Sequence, residues 1–139
     1  FTLVFTGMSR SASEVLSEVP EDESDKITRL RTIRGQADQA YEMVVNGDIS
    51  GLGSLIGEAW NTKRGISASV SGGDLDAMHD RIMAMGASGA KLLGAGGGGF
   101  FLVHGSIGLR EKLASLCEPH RLIPLDVDWI GSEIIHKGD

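Results

Sequence analysis

The chain has 139 residues, of which 41% are hydrophobic and 23% are charged, which suits one globular domain with a buried core. A formal net charge of −6 argues against a nucleic-acid partner, because binding to phosphate backbones takes clustered Lys and Arg side chains. The single cysteine, Cys117, cannot form an internal disulfide, and no apolar run approaches the ~20 residues that span a bilayer. We therefore expect a cytoplasmic protein without a membrane partner, with Cys117 in the core.

Apolar residues repeat at helical spacing in the first half of the chain and form short runs typical of strands at its start and in its second half. The predicted elements in chain order are a strand at 1–6, a helical turn at 11–16, helices at 25–46, 49–64 and 74–85, strands at 90–93 and 100–104, a helix at 107–117, and strands at 121–127 and 129–135. We expect the three long helices to pack as one layer, and Asp128 to form a tight connection or a bulge between the last two strands. This order predicts an α+β sandwich, a mostly antiparallel sheet with helices on one face.

Five of the 20 glycines lie in a single run between two apolar strands. The run comprises Gly94, Ala95, Gly96, Gly97, Gly98 and Gly99. Each ordered glycine costs ~0.5–1 kcal/mol of conformational entropy, so the run is unfavourable for a plain turn. It suits a backbone that approaches a neighbour closely, or N–H groups that converge on an anion. A flexible hairpin is the alternative, but the flanking strands fix both ends and favour phosphate binding.

Known phosphate motifs match this run poorly. Gly94, Gly96 and Gly99 fit G-x-G-x-x-G, but the dinucleotide fingerprint needs a following helix, and residues 100–103 have a strand pattern. The P-loop pattern G-x-x-x-x-G-K-[ST] is absent from the sequence. A protein-kinase glycine loop does lie between strands, but neither H-R-D nor D-F-G follows here. None of these three motifs therefore explains the run.

The segment 89–100, G-A-K-L-L-G-A-G-G-G-G-F, resembles the third signature motif of the GHMP kinases, with Ala90 where a glycine is usual. This family includes galactokinases and homoserine, mevalonate and phosphomevalonate kinases. Segments 5–12 (F-T-G-M-S-R-S-A) and 58–64 (E-A-W-N-T-K-R) resemble its branch of heptose-phosphate kinases and fucose-type sugar kinases. The resemblance spans nearly the whole chain and implies that residues 1–139 form the family's C-terminal domain, a ferredoxin-like sandwich with about four strands.

The other two signature motifs of that family, including its ATP-cradling loop, are absent from this sequence. An N-terminal ATP-binding domain is therefore expected as a partner outside this chain. The start at Phe1, inside a predicted strand and without an initiator methionine, also fits a fragment. By resemblance, the complete enzyme transfers the γ-phosphoryl group of ATP to a hydroxyl of a sugar or sugar phosphate, with a heptose phosphate as the expected acceptor.

The resemblance also implies which parts of the site each of the two domains would contribute. ATP and Mg²⁺ would be bound mainly by the missing domain, while residues 94–99 would place backbone N–H groups beside the nucleotide phosphates at the domain interface. No catalytic residue and no metal ligand is expected in this chain, so the chain alone is expected to be inactive.

Basic side chains are candidates for binding the sugar phosphate. They are Arg10, Lys63, Arg64 and Lys91. Arg10 follows a strand in a Gly/Ser segment, where a guanidinium could hold a phosphate with two hydrogen bonds. Lys63 and Arg64 end a helix, where the helix dipole favours cations even without a ligand. Lys91 enters the glycine run, but could instead point outward from an edge strand.

Other polar or aromatic residues are assigned structural roles. Trp60 is expected in the core rather than as a sugar-stacking platform. The trio Arg29, Arg31 and Arg34 has helical spacing and is interpreted as a solvated face. The four histidines show no spacing of metal ligands and are expected at the surface or in structural contacts; they are His79, His104, His120 and His136.

A second class of function is open at this point. The same sandwich could form a non-catalytic module that binds a small molecule or another protein, because a fold does not settle function. The glycine run discriminates between the two classes, since a regulatory module has no need of five glycines between two apolar strands. We therefore favour the kinase.

Overall fold

The computed structural model describes residues 1–17, 23–67, 69–115 and 122–135. Its elements are β1 (Thr2–Phe5), α1 (Ala12–Ser17), α2 (Glu23–Val45), α3 (Ile49–Arg64), α4 (Gly73–Ala84), β2 (Ala87–Leu92), β3 (Phe100–Gly105), α5 (Leu109–Ala114) and β4 (Leu122–Pro124). The helix α3 has the bounds that its apolar pattern predicts. The strand β2 begins three residues earlier than predicted, because Ala87 and Gly89 pair with β3, on either side of an irregularity at Ser88, although these small residues form no apolar run.

The four strands form one antiparallel sheet in the order β2-β3-β1-β4. Two helix-containing crossovers connect β1 to β2 and β3 to β4, which is the arrangement of a ferredoxin-like βαββαβ unit. The first crossover is enlarged to four helices. The predicted α+β sandwich is therefore confirmed. All four residues of β1 pair with residues 100–103 of β3, with Val4 opposite Phe101.

The core lies on one face of this sheet. Alternate strand residues are at most 1% exposed; they are Val4, Ala90, Leu92, Phe101 and Val103. Trp60 of α3 is fully buried and packs edge-on against Phe101, with ring centroids 5.9 Å apart and planes at 86°. This confirms that Trp60 is a core residue, and its burial rules out a sugar-stacking platform.

The helices do not form the single layer that their stripes predicted. Both α3 and α4 pack against the edge strand β2, whereas α2 packs against α3 on the outside. None of the α2 side chains from Ser24 to Val45 is buried, and Leu30 and Tyr41 are 48% and 67% exposed. The apolar residues of α2 do recur at helical spacing, but part of the stripe that they form is exposed in the described structure.

Three glycines bring α3 into close contact with β2. A Cβ atom at Gly89 of β2 would overlap the carbonyl oxygen of Gly53, and one at Gly57 would lie 3.7 Å from the Cα of Gly89. The missing side chains allow the helix backbone to lie directly on the strand. This contact places the last turn of α3, with Lys63, beside the end of β2.

The predicted final strand at 129–135 is not formed, and the preceding strand ends at Pro124. The N–H of Leu125 still donates to the carbonyl of Phe1 (3.3 Å), but residues 129–135 have no partner strand in the described structure, and Trp129 and Ile135 are 90% and 95% exposed. Asp128 forms a turn instead, since its Oδ1 accepts hydrogen bonds from the N–H groups of Ile130 (2.9 Å) and Gly131 (3.3 Å). The helix predicted at 107–117 is seen as α5, and Cys117, His120 and His136 lie outside the described residues.

Candidate functional site

The glycine loop, residues 94–99, connects the adjacent strands β2 and β3 at one end of the sheet. All five of its glycines have positive φ angles, namely 73° at Gly94, 119° at Gly96, 70° at Gly97, 151° at Gly98 and 97° at Gly99. Side chains disfavour these angles because the Cβ atom clashes with the adjacent carbonyl. The backbone path of the loop therefore explains why the sequence holds a run of glycines here.

Two other chain segments enclose the loop. The N–H of Gly97 donates to the carbonyl of Val70 (3.1 Å), between α3 and α4. The N–H of Gly99 donates to the carbonyl of Met8 (2.9 Å), between β1 and α1. A Cβ at Gly98 would lie 2.6 Å from that same carbonyl oxygen. The loop is thus packed on two sides, which does not fit the flexible-hairpin alternative.

Thr6 and Gly7 position the carbonyl that receives the loop. The Thr6 hydroxyl donates to the carbonyl of Met8 (3.2 Å) and accepts the N–H of Met8 (3.1 Å), while Gly7 takes a φ of 78°. The N–H of Thr6 donates in turn to the carbonyl of Gly99 (2.9 Å). The T-G pair at the start of the segment 5–12 therefore forms a turn that docks the loop.

The N–H groups of the loop divide into two sets. Those of Gly97 and Gly99 are used within the protein. Among the described residues, the N–H groups of Gly94, Ala95, Gly96 and Gly98 have no acceptor. Buried backbone N–H groups are nearly always paired, and Gly96 and Gly98 are buried, so these groups are suited to an external anion.

Two clefts border the glycine loop. The first, of about 340 Å³, is called the loop cleft and is lined by Ser9, Arg10, Ala12, Leu93, Gly94, Ala95, Gly96, Gly98, Gly99 and Phe100. The second, of about 200 Å³, is called the α4 cleft and is lined by Met8, Arg10, Ser69, Ser71, Gly72, Gly73, Asp74, Leu75 and Gly97. Arg10 lines both clefts. Its Cδ would lie 3.1 Å from a Cβ at Gly97, so its stem packs directly against the loop.

The start of α4 is a part of the site that sequence reasoning missed. Its N-cap, Gly72, makes no side-chain capping hydrogen bond, and the first helical residues line the α4 cleft. The N–H groups of a first helical turn favour anions, although Asp74 adds an opposing charge here. The signal in the sequence was the S-G-G-D run at 71–74, which resembles a helix start as much as a loop.

Lys63 and Lys91 lie near the start of the glycine loop, and neither of them lines the α4 cleft. The Lys63 ammonium donates to the carbonyls of Gly94 and Leu92, the latter at 3.4 Å. Burial lowers the pKa of Lys63, and the nearby charge of Lys91 lowers that pKa further. Burial also lowers the pKa of Lys91, which lines a cleft of about 250 Å³ between α2 and α3.

Arg64 faces the start of α4 rather than the loop. Its Nη1 lies 3.7 Å from Oδ1 of Asp76, and its side chain is 41% exposed. Asp76 also accepts a hydrogen bond from the Ser71 hydroxyl (2.5 Å). The four basic candidates therefore do not converge on one point: Arg10 lies at the clefts, Lys63 and Lys91 lie at the start of the loop, and Arg64 joins α3 to α4.

The two described histidines make structural contacts. His79 is buried beside Trp60 and Phe101, with ring centroids 6.1 Å and 6.0 Å away. Nδ1 of His104 lies 2.6 Å from the Ser88 hydroxyl, and burial lowers the pKa of His104. Over the described ranges, no three His, Cys, Asp or Glu side chains are grouped so as to hold a metal ion. Nor is any helix in those ranges both long and apolar enough to cross a membrane.

The structure is a ferredoxin-like α+β domain. Its β2–β3 hairpin carries a packed glycine loop, four of whose N–H groups have no acceptor among the described residues. Residues 39–115 match the sequence profile of a family described as GHMP kinases C terminal. The chain belongs to the GHMP kinase family, whose members are ATP-dependent kinases. The matched residues include α3, α4, β2, the glycine loop and β3.

Curated relatives place the chain near the sugar kinases. It is 30% identical over 105 residues to the bifunctional fucokinase/GDP-fucose pyrophosphorylase of Arabidopsis thaliana, covering 73% of this chain and 10% of that protein. It is 28% identical over 100 residues to the D-glycero-alpha-D-manno-heptose 7-phosphate kinase of Campylobacter jejuni, covering 70% of this chain and 30% of that protein. It is also 28% identical over 102 residues to the L-fucokinase/L-fucose-1-P guanylyltransferase of Bacteroides fragilis, covering 70% of this chain and 11% of that protein. These relatives confirm the branch that segments 5–12 and 58–64 indicated.

A solved structure shares the fold. The mevalonate kinase of L. major, in complex with R-mevalonate, superposes with a TM-score of 0.68 at 26% identity, over 86% of this chain and 39% of that one. This chain therefore spans between a tenth and two fifths of the length of these matched proteins. The relatives are larger kinases, and the greater part of each lies outside the matched region.

Proposed function

We propose that this chain is the C-terminal domain of an ATP-dependent kinase that phosphorylates a hydroxyl group of a sugar or sugar phosphate, with a heptose phosphate as the favoured acceptor. The glycine loop carries this proposal: it is packed in place, four of its N–H groups have no acceptor among the described residues, and it lines a cleft that Arg10 also lines. The name of the Campylobacter jejuni relative supports a sugar phosphate as the acceptor, and the names of the two fucokinase relatives support a sugar as the acceptor.

The role proposed for the loop is to neutralise phosphate charge. ATP would supply the transferred γ-phosphoryl group. The N–H groups of Gly94, Ala95, Gly96 and Gly98 would direct partial positive charge toward the nucleotide phosphates. Because the contacts with Met8 and Val70 already hold the loop, little reorganisation would be needed when the phosphates bind. Phosphoryl transfer depends mainly on such positioning and charge neutralisation.

An N-terminal kinase domain is the proposed partner. The described residues include no group of three or more His, Cys, Asp or Glu side chains that could hold Mg²⁺. By the family resemblance, the metal ligands and the main triphosphate contacts would come from that domain, as would any general base. The clefts on both sides of the glycine loop would then lie at the interface between the two domains.

Among the basic candidates, Arg10 is the favoured ligand for the acceptor's phosphate. It is exposed, lines both clefts and carries a planar guanidinium that can donate two hydrogen bonds to one phosphate. Lys91 is proposed as a secondary contact. Lys63 and Arg64 are engaged with carbonyl groups and with Asp76, so they contribute to binding mainly by supporting the site.

Transfer can be followed by ³¹P NMR with Mg-ATP and a panel of hexoses, heptoses and their phosphates. The chain alone should give no transfer, whereas the chain joined to the N-terminal domain from its own reading frame should phosphorylate a sugar phosphate. The Arg10→Met variant of the joined enzyme should raise KM for a phosphorylated acceptor much more than KM for ATP.

Three outcomes of this assay would contradict the proposal. Transfer by the isolated chain would show that the catalytic groups lie within it. Transfer only to a non-sugar alcohol would exclude the proposed acceptor class. Binding of a sugar phosphate by the joined protein, without any transfer, would favour the non-catalytic module.

A further inference from the structure

Lys63 lies against the point where β2 ends and the glycine loop begins. Its ammonium donates to the carbonyls of Leu92, the last residue of β2, and of Gly94, the first loop residue with positive φ. These two carbonyls flank the change of direction that the chain makes as it leaves the strand. A single cation therefore bridges the strand and the loop.

We propose that Lys63 is a positioning residue that fixes the direction in which the glycine loop leaves β2, and thereby the direction of the loop's unpaired N–H groups. This inference rests on the proposed function where it concerns catalysis. The contact with the two carbonyls, however, can be tested without any turnover.

The surroundings of Lys63 favour this role over a free surface charge. Lys63 is half-buried, and no carboxylate in the described part of the chain lies within ion-pair distance of it. The neighbouring charge of Lys91 is repulsive. Burying a charged group is unfavourable unless hydrogen bonds compensate, and the two carbonyls are the compensating acceptors.

The helix that carries Lys63 is itself fixed to the strand. Gly53 and Gly57 allow the backbone of α3 to lie on Gly89 of β2, so the distance between helix and strand has little freedom. Lys63 projects from the last turn of the same helix. Main-chain packing therefore sets the position of the Lys63 Cα atom relative to the end of β2, and the two carbonyls hold the ammonium from there.

Amide hydrogen exchange of the ¹⁵N-labelled chain tests the proposal. Lys63→Met removes the charge and keeps most of the length, and should accelerate exchange at Gly97 and Gly99 about tenfold or more, because hydrogen bonds from charged donors are among the stronger ones. Lys63→Arg should keep exchange near the wild-type rate, since a guanidinium can also donate to two carbonyls.

Lys112→Met is the matched control. The Lys112 ammonium also donates to a backbone carbonyl, that of Met85 at 3.4 Å, but on the exposed side of α5. The Lys112→Met variant should leave amide exchange at Gly97 and Gly99 unchanged. Wild-type exchange rates at both glycines in a folded Lys63→Met chain would overturn the proposal. If Lys63→Met does not fold, Lys63→Gln replaces it, and unchanged exchange there would overturn the proposal equally.

Turnover of the joined enzyme separates this proposal from the proposed function. Lys63→Met should lower kcat, and Lys63→Arg should restore most of it. Accelerated exchange together with unchanged turnover would support the positioning role and contradict the role of the loop in catalysis. A Lys63→Met variant that raises only KM for the acceptor, at normal exchange, would make Lys63 a substrate ligand and overturn the positioning role.

Discussion

At the scale of single residues, the glycine loop shows two distinct requirements for glycine. One is backbone conformation, since each of its glycines has a positive φ. The other is space, and it differs along the loop: nothing lies within 4 Å of a Cβ built on Gly94, whereas one on Gly97 would meet Val15 and Arg10. The sequence run alone could not separate these requirements, because it shows where the glycines are but not what surrounds them.

Gly94→Ala and Gly97→Ala form a matched pair, since their φ angles of 73° and 70° are nearly equal. Gly94→Ala should lower the free energy of unfolding by about 1–2 kcal/mol, the cost of a left-handed backbone for alanine. Gly97→Ala should lower it by roughly a further 1–3 kcal/mol, because its Cβ would lie 3.0 Å from Cγ2 of Val15. Equilibrium unfolding in urea measures the free energy of unfolding of both variants. Equal losses would mean that the loop does not pack against Val15 and Arg10.

At the scale of elements, the contact between α3 and β2 links the fold to the site. Periodicity predicted both elements, and for α3 even the bounds. The spacing of apolar residues did not predict that Gly53, Gly57 and Gly89 lie at the contact between α3 and β2. A glycine has no side chain and therefore does not contribute to that spacing. The same limit applies to α2, whose stripe indicated burial although, among the described elements, the helix packs mainly against α3.

Gly89→Ala should be strongly destabilising, because its Cβ would overlap the carbonyl oxygen of Gly53 and force α3 away from β2. We expect a loss of about 1–3 kcal/mol or more in the free energy of unfolding. Gly57→Ala is the control: its Cβ would make an ordinary contact at 3.7 Å, and alanine favours a helix over glycine by ~1 kcal/mol. Thermal unfolding should show a lower Tm for the first variant and an equal or higher Tm for the second. A neutral Gly89→Ala would contradict the close approach.

At the scale of the whole molecule, the order of elements and the antiparallel sandwich could be predicted from the sequence, because the spacing of apolar residues changes where helices give way to strands. The absence of a final strand at 129–135 could not be predicted from the sequence. Residues 129–135 have the composition of a strand, but a strand also needs a partner, and β4 stops at Pro124. For the site, the glycine run and the family resemblance located the loop, whereas the separate positions of Arg10, Lys63 and Arg64 depend on tertiary packing.

The fluorescence of the two tryptophans can test whether residues 129–135 are packed. Trp60 is fully buried and Trp129 is 90% exposed, so the wild-type fluorescence combines a shielded and a solvated indole. Trp129→Phe should shift the emission to shorter wavelength and remove most quenching by acrylamide. Trp60→Phe should do the reverse. Little change in quenching for Trp129→Phe would indicate that residues 129–135 are packed, as the sequence pattern had suggested.

The hydrogen bonds that enclose the glycine loop also bear on how the chain folds. Gly99 is joined to Met8 and Gly97 to Val70, so the loop takes its final path only after segments remote in sequence have met. Such non-local contacts form slowly, because the closure entropy of the intervening chain must be overcome first. We therefore expect the loop to be unformed in the folding transition state. Substitutions within it should then shorten the lifetime of the native state and leave the rate of folding nearly unchanged.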